Sequence, residues 1–206
     1  MLDLTQTPIT LALLIVNVVV SLYVLFRRPQ LLGRLAFRPE RILRHGEIYR
    51  LITAGFVHVD GTHLLLNMLT LYFFGPLMEY VLGPIGYLIL YFGSELAAHA
   101  LSLAIQRGNA RYSAVGASGA ITGVLFAFCL YAPFEMLYLF FAIPIPAIVF
   151  AIGFVAISMV AMKNRGANKV GGLAHEAHLG GAIGGVVITI LLDPAALTRF
   201  LSQLGA

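Results

Sequence analysis

Long apolar stretches alternate with short polar breaks along most of this chain. The runs at 9–26, 62–82, 85–105, 114–131 and 174–192 each approach the roughly 20 apolar residues that a helix needs to cross a bilayer. They stop at Arg27-Arg28-Pro29, Gly83-Pro84, Gln106-Arg107-Gly108-Asn109, Ala132-Pro133 and Asp193-Pro194. Another apolar stretch, 136–162, is interrupted by Pro144 and Pro146. Proline suits the first turn of a helix and breaks its interior. The pattern therefore predicts a helix over 146–162, preceded by an interfacial or re-entrant segment over 136–143. That makes six spans. Residues 1–8 are polar without a charged leader, so the run at Ile9 reads as a retained first helix and not a signal peptide.

One connection is long. Residues 27–61 hold Arg27, Arg28, Arg34, Arg38, Arg41, Arg44 and Arg50, interleaved with Leu31, Leu32, Leu35, Phe37, Ile42, Leu43 and Ile48. Such mixing of basic and apolar residues predicts a structured segment lying in the membrane interface. Composition agrees with the pattern. Hydrophobic residues make up 60% and charged residues 11%, and mean hydropathy is +0.92. Soluble domains carry about 25% charge, so lipid is the natural solvent here. Neither a linker nor an internal repeat divides the chain, and 1–206 reads as a single membrane-embedded domain. The net charge of +4 includes no long basic run, so no nucleic-acid partner is expected. A single cysteine, Cys129, excludes an internal disulfide and reads as a packing residue.

Polar residues inside a membrane are costly, and each asks for a reason. Ser118 stands in Gly116-Ala117-Ser118-Gly119, at the start of the fourth run. Free N–H groups and the positive dipole end of a helix N-terminus would stabilise an oxyanion beside it. By itself the motif better fits a serine packed among small residues in a helix interface. His178, near the start of the sixth run, would serve as its base if the two helices pack closely. Small residues on both runs permit this: Gly116, Gly119, Ala120, Gly123 and Ala127 on one, Gly180, Gly181, Gly184 and Gly185 on the other. His63 and Asn67 are four apart and share a helix face. Either they donate to an oxyanion or they clamp two helices together. Glu95 and His99, also four apart, read as a structural pair, Glu79 as a hydrogen-bond acceptor, and His45 and His58 as loop or interface residues. His175-Glu176-Ala177-His178 is one residue short of the zinc motif H-E-x-x-H, so neither metal nor cofactor is expected. A transporter would favour mid-span charges and repeated halves, and neither is present.

The ordered set His63-x-x-x-Asn67, Gly116-Ala117-Ser118-Gly119 and Ala177-His178-x-x-Gly181 resembles the rhomboid family of intramembrane serine proteases. The resemblance implies an all-α polytopic membrane protein, a six-transmembrane-helix bundle with a long interfacial first loop. It implies Ser118 as nucleophile, His178 as base, and an oxyanion hole of His63, Asn67 and the Ser118 N–H. Gly116, Gly119, Gly181, Glu79 and Arg50 would be structural supports. Partners would be membrane lipid and transmembrane protein substrates, cut near small, helix-weakening residues after passing between the second and fifth helices. A catalytically inactive relative that binds membrane helices is the alternative. Tyr49 stands where the family usually has tryptophan, and Thr122 where some members place a tyrosine against the catalytic histidine. The family arrangement in the cell (inner) membrane opens the site to the extracytoplasmic side. The positive-inside rule points the other way, because all 13 Lys and Arg residues except Arg199 lie in the first, third and fifth loops.

Overall fold

The computed structural model describes residues 4–139, 142–164 and 174–205. The first helix, α1 (Pro8–Arg27), carries Pro8 in its first turn, where a missing N–H costs nothing. Its free N-terminal donors are met from another helix: Glu79 accepts from the N–H of Ile9 at 2.9 Å, and from the N–H and hydroxyl of Thr10 at 2.7 Å each. The first loop contains three short helices, α2 (Gln30–Leu35), α3 (Pro39–His45) and α4 (Arg50–Thr53). Arg50 is buried and ties the loop together. Its guanidinium donates to Glu47 at 2.6 Å and to the carbonyls of Gly33 and Ala36 at 3.1 and 2.7 Å. That hydrogen bond from Arg50 holds the Glu47 carboxyl below its ordinary pKa. Leu43, Ile48, Tyr49 and Ile52 remain exposed beside the arginines.

The next helix, α5 (Gly61–Gln106), is 46 residues long and broken at Gly83, where φ is 70° and ψ is 167°. Only glycine adopts that conformation readily, and Pro84 then opens the second limb. Gly75 and Tyr87 would lie about 18 Å apart along a continuous helix. Instead a Cβ added at Gly75 would come within 2.7 Å of the Tyr87 hydroxyl. The limbs 61–82 and 84–106 therefore fold back on one another, as two runs separated by Gly83-Pro84 predict.

At the centre stands α6 (Ser118–Tyr131), buried at every position from Gly119 to Leu130. A helix apolar on all sides belongs inside a bundle. It starts four residues later than the expected 114–131, because backbone bonds to the first loop hold Ala114 and Gly116 outside the helix. Phe37 and Ala114 exchange backbone hydrogen bonds of 2.9 and 3.1 Å, and the Gly116 N–H donates to the Ala54 carbonyl at 2.9 Å. α8 (His175–Leu192) packs against both α5 and α6. A Cβ at Gly181 would collide with the Gly119 backbone, and one at Gly185 with the Gly123 backbone.

The chain is not wholly α-helical. The segment expected to be interfacial or re-entrant holds β1 (Met136–Leu139), paired antiparallel with β2 (Ile143–Pro146) from Met136↔Pro146 to Leu139↔Ile143. Residues 140 and 141 of that segment lie outside the described residues, as do Arg165 and Lys169. Pro144 and Pro146 fit a two-stranded ribbon, whose outer edges need no donors. Helix α7 (Ala147–Asn164) follows, one residue later than expected. A short α9 (Ala195–Gln203), absent from the sequence reading, packs across α6 and α8. Among the described residues, α1, α5 and α8 are long and apolar enough to cross a membrane, while α6 and α7 are shorter apolar helices.

Glu79→Ala leaves three donors at the head of α1 without an acceptor. The expected cost is about 3 kcal/mol, read as a lowered midpoint of thermal unfolding in detergent. An unchanged midpoint would show that the Glu79 contacts contribute nothing.

Candidate active site

Ser118 is the first residue of α6, and His178 lies in the first turn of α8. Their helices approach because glycine faces glycine at 119/181 and 123/185. The result is a hydrogen-bonded pair, with Ser118 Oγ 2.9 Å from His178 Nε2. For Nε2 to accept the serine proton, the ring hydrogen must sit on Nδ1. The rings of Phe154 and His175 flank the imidazole, with centroids 6.0 and 6.3 Å away. Thr122 does not pack an aromatic there. Its hydroxyl donates back to the Ser118 carbonyl at 2.6 Å.

The backbone around Ser118 is pinned on both sides. The Ala117 N–H points to His58 Nε2 at 3.4 Å, and the Ala120 N–H donates to Glu95 Oε2 at 2.9 Å. Between them, the N–H groups of Ser118 and Gly119 have no partner among the described residues. They are the free donors that a helix N-terminus offers to an anion. Gly116 adopts a φ of 115°, and a Cβ there would lie 2.5 Å from the His63 ring. Glycine at 116 thus satisfies a backbone requirement and makes room for His63. The His63 N–H is capped by Asp60 at 2.7 Å, while its buried Nδ1 makes no hydrogen bond. One amide hydrogen of Asn67 goes to the His63 carbonyl at 2.9 Å, leaving its second free of any described partner. The structure therefore brings Ser118, His178, Gly116, Gly119, Gly181 and His63 together. Glu79 and Arg50 lie elsewhere, in the α1 and first-loop contacts described above.

Three residues matter more here than their sequence context suggests. His58 was read as a loop or interface residue, yet it is 0% exposed. Because its Nε2 accepts from Ala117, Nδ1 carries the hydrogen and donates to Ser21 Oγ at 2.8 Å; Ser21 in turn donates to the Phe56 carbonyl at 3.0 Å. Burial, reinforced by nearby His63, pushes the His58 pKa down to about 3. Its setting between Val57 and Val59, just before the Asp60 cap, is the only sequence sign of burial. Glu95 reaches α6 from α5, and Phe154 reaches His178 from α7. In the sequence Glu95 shows only as the partner of His99 one turn away, and no local motif marks Phe154.

The sequence matches the Rhomboid domain family over residues 45–194. It is 31% identical to RHOMBOID-like protein 12, mitochondrial, of Arabidopsis thaliana over 154 residues, which cover 68% of this chain and 45% of that protein. It is 35% identical to Rhomboid protein 1, mitochondrial, of Saccharomyces cerevisiae over 142 residues, 66% of this chain and 40% of the yeast protein. Rhomboid-like protein 16, chloroplastic, of Arabidopsis thaliana is 30% identical over 164 residues, 71% of this chain and 48% of the plant protein. In each case the match spans less than half of the relative.

His58 has a consequence for stability. Between about pH 6.5 and pH 3 the unfolded chain binds a proton at His58 that the folded chain refuses, so stability falls as pH drops through that window. His58→Gln lacks this contribution. From pH 7 to pH 4 the wild type should lose about 3 kcal/mol more than the variant. Unfolding curves across that range test it, and parallel curves for the two proteins would refute it.

Proposed function

Because this chain belongs to the rhomboid family, we propose that it is an intramembrane serine endopeptidase that cleaves transmembrane segments of other membrane proteins. One observation carries the reading: Ser118 Oγ and His178 Nε2 are 2.9 Å apart at the head of a buried helix. As Ser118 attacks the scissile carbonyl, His178 takes the hydroxyl proton, so that the nucleophile is oxygen without its hydrogen. The carbonyl oxygen becomes anionic. In this reading the free N–H groups of Ser118 and Gly119 bind that charge, with His63 and Asn67 as side-chain donors. The imidazolium then returns the proton to the departing amine, leaving an acyl-serine. Water, activated by the same ring, hydrolyses the ester and restores Ser118.

The proposed dyad uses no carboxylate to orient the base. Packing does that work instead, through Phe154 and His175. α7 packs chiefly against α8, which supports substrate access between α7 and the first limb of α5. A transmembrane segment must unwind locally to present a carbonyl to Ser118, which favours small, helix-weakening residues at the cut.

The proposed topology has six spans, counting both limbs of α5, with the first loop in the interface. The site opens to the extracytoplasmic side of the cell (inner) membrane, and the exposed arginines of the first loop face lipid headgroups there. Cysteine labelling at Gly108→Cys and Gln203→Cys tests this. Cysteine 108 should react from outside and cysteine 203 from the cytoplasm, and the reverse pattern would invert the topology.

Ser118→Ala and His178→Ala should each lower cleavage of a tagged single-span substrate by at least about 10³-fold, with insertion unaffected. A fluorophosphonate should label the wild type and not Ser118→Ala. Cleavage that survives Ser118→Ala would end the protease reading. A wild type that binds transmembrane peptides and never cuts them would mark an inactive, helix-binding member of the family.

A further inference from the structure

The nucleophile's helix begins without a cap of its own. Its N-cap residue is Ala117, which makes no side-chain hydrogen bond. The third helical N–H, that of Ala120, is taken by Glu95 of α5. Glu95 is 3% exposed and His99 is 5% exposed, so this carboxyl sits far from water. The fit around it is tight. A Cβ at Gly55 or Gly119 would come within 2.9 or 2.8 Å of its oxygens.

An ionised carboxylate at this place would conflict with the chemistry. Negative charge in the first turn cancels the positive end of the helix, and that end is what the oxyanion beside Ser118 needs. His99 removes the conflict. Its Nδ1 lies 2.9 Å from the Leu51 carbonyl, an acceptor only, so Nδ1 carries a hydrogen. In the neutral ring Nε2 then presents a lone pair. It faces Glu95 Oε1 at 3.5 Å, and Oε1 has no hydrogen bond of its own among the described residues. Two lone pairs facing each other in a buried site repel, whereas one proton between them makes the contact attractive. Phe37 stacks flat on the ring, 4.4 Å between centroids and 3° between planes, and holds it in this orientation. A cavity of about 20 Å³ lies between the pair and Ser118, and among the described residues its only polar side chains are those of Glu95, His99 and Ser118.

We propose that Glu95 is a positioning residue for the nucleophile: together with His99 it holds one shared proton, so the pair caps α6 with no net charge and leaves the helix end positive for the oxyanion. Both arrangements of the proton, carboxylic acid with imidazole or carboxylate with imidazolium, have the same net charge. This inference rests on the protease reading above.

The test uses the full-length protein in detergent with a tagged single-span substrate, alongside wild type and Ser118→Ala. Glu95→Gln reproduces the acceptor for Ala120 and a donor toward His99 without charge. It should keep kcat within about threefold and leave the pH profile unchanged, whereas Glu95→Ala should lose about tenfold or more in kcat with little change in KM. His99→Phe strands the carboxyl, so its activity should fall as rising pH ionises Glu95. The double variant Glu95→Gln/His99→Phe should lose that pH dependence. Glu95→Gln as impaired as Glu95→Ala would overturn the proposal. So would a His99→Phe profile that matches the wild type. An inert wild type would instead fail the protease reading, which keeps the two failures distinct.

Discussion

The whole site depends on one close approach, where α8 lies backbone to backbone on α6. Gly181 rests on Gly119 and Gly185 on Gly123, with no room for a side chain at either crossing. Lipid supplies no hydrophobic drive to press helices together, so packing of small residues must do it. Their consequence is chemical. Ser118 and His178 are 60 residues apart in sequence and come within hydrogen-bonding distance only because their helices touch there. The second limb of α5 completes the arrangement, with Ala97 and Ala98 against Gly180 and Gly184.

The second constraint is that polar groups inside this molecule are used as caps. Glu79 caps α1 from α5, Glu95 caps α6 from α5, and His58 meets the backbone just before Ser118. In each case the head of one helix is satisfied by a side chain from a distant element. Unpaired N–H groups buried away from water are costly. At α6 the satisfaction is incomplete: Ala117 and Ala120 have partners, and among the described residues Ser118 and Gly119 between them do not. A helix end buried with free donors is unfavourable unless a ligand meets them, and an oxyanion is such a ligand.

The first loop and the β1–β2 hairpin show how irregular backbone survives in so apolar a chain. Arg50 closes the first loop by donating to two backbone carbonyls and to Glu47, so the loop satisfies its own polar groups. The same loop anchors the strand-like approach to Ser118, since Phe37 pairs with Ala114 and Ala54 accepts from Gly116. Loop and site are therefore one mechanical unit, although most of its arginines face outward.

Much of this was legible in the order of residues. Apolar runs and their Gly-Pro breaks located the helices, because a bilayer demands runs of a certain length and proline interrupts them. Gly83-Pro84 marks the break between the two limbs of α5. Ser118, His178 and the glycines below them stood out because a polar residue in lipid needs a reason, and small residues mark where helices meet. Tertiary structure alone decided the rest. Backbone hydrogen bonds to Phe37 and Ala54, remote in sequence, begin α6 at Ser118 and not at Ala114. The segment before α7 becomes a hairpin because its two halves pair with each other, a choice that hydropathy does not encode. His58 is buried, Glu95 caps α6 and Phe154 packs on His178, each through a partner 24 to 59 residues away. Periodicity reports which face of a helix is apolar. It does not report which polar groups from different helices will meet, and in this protein those meetings make the site.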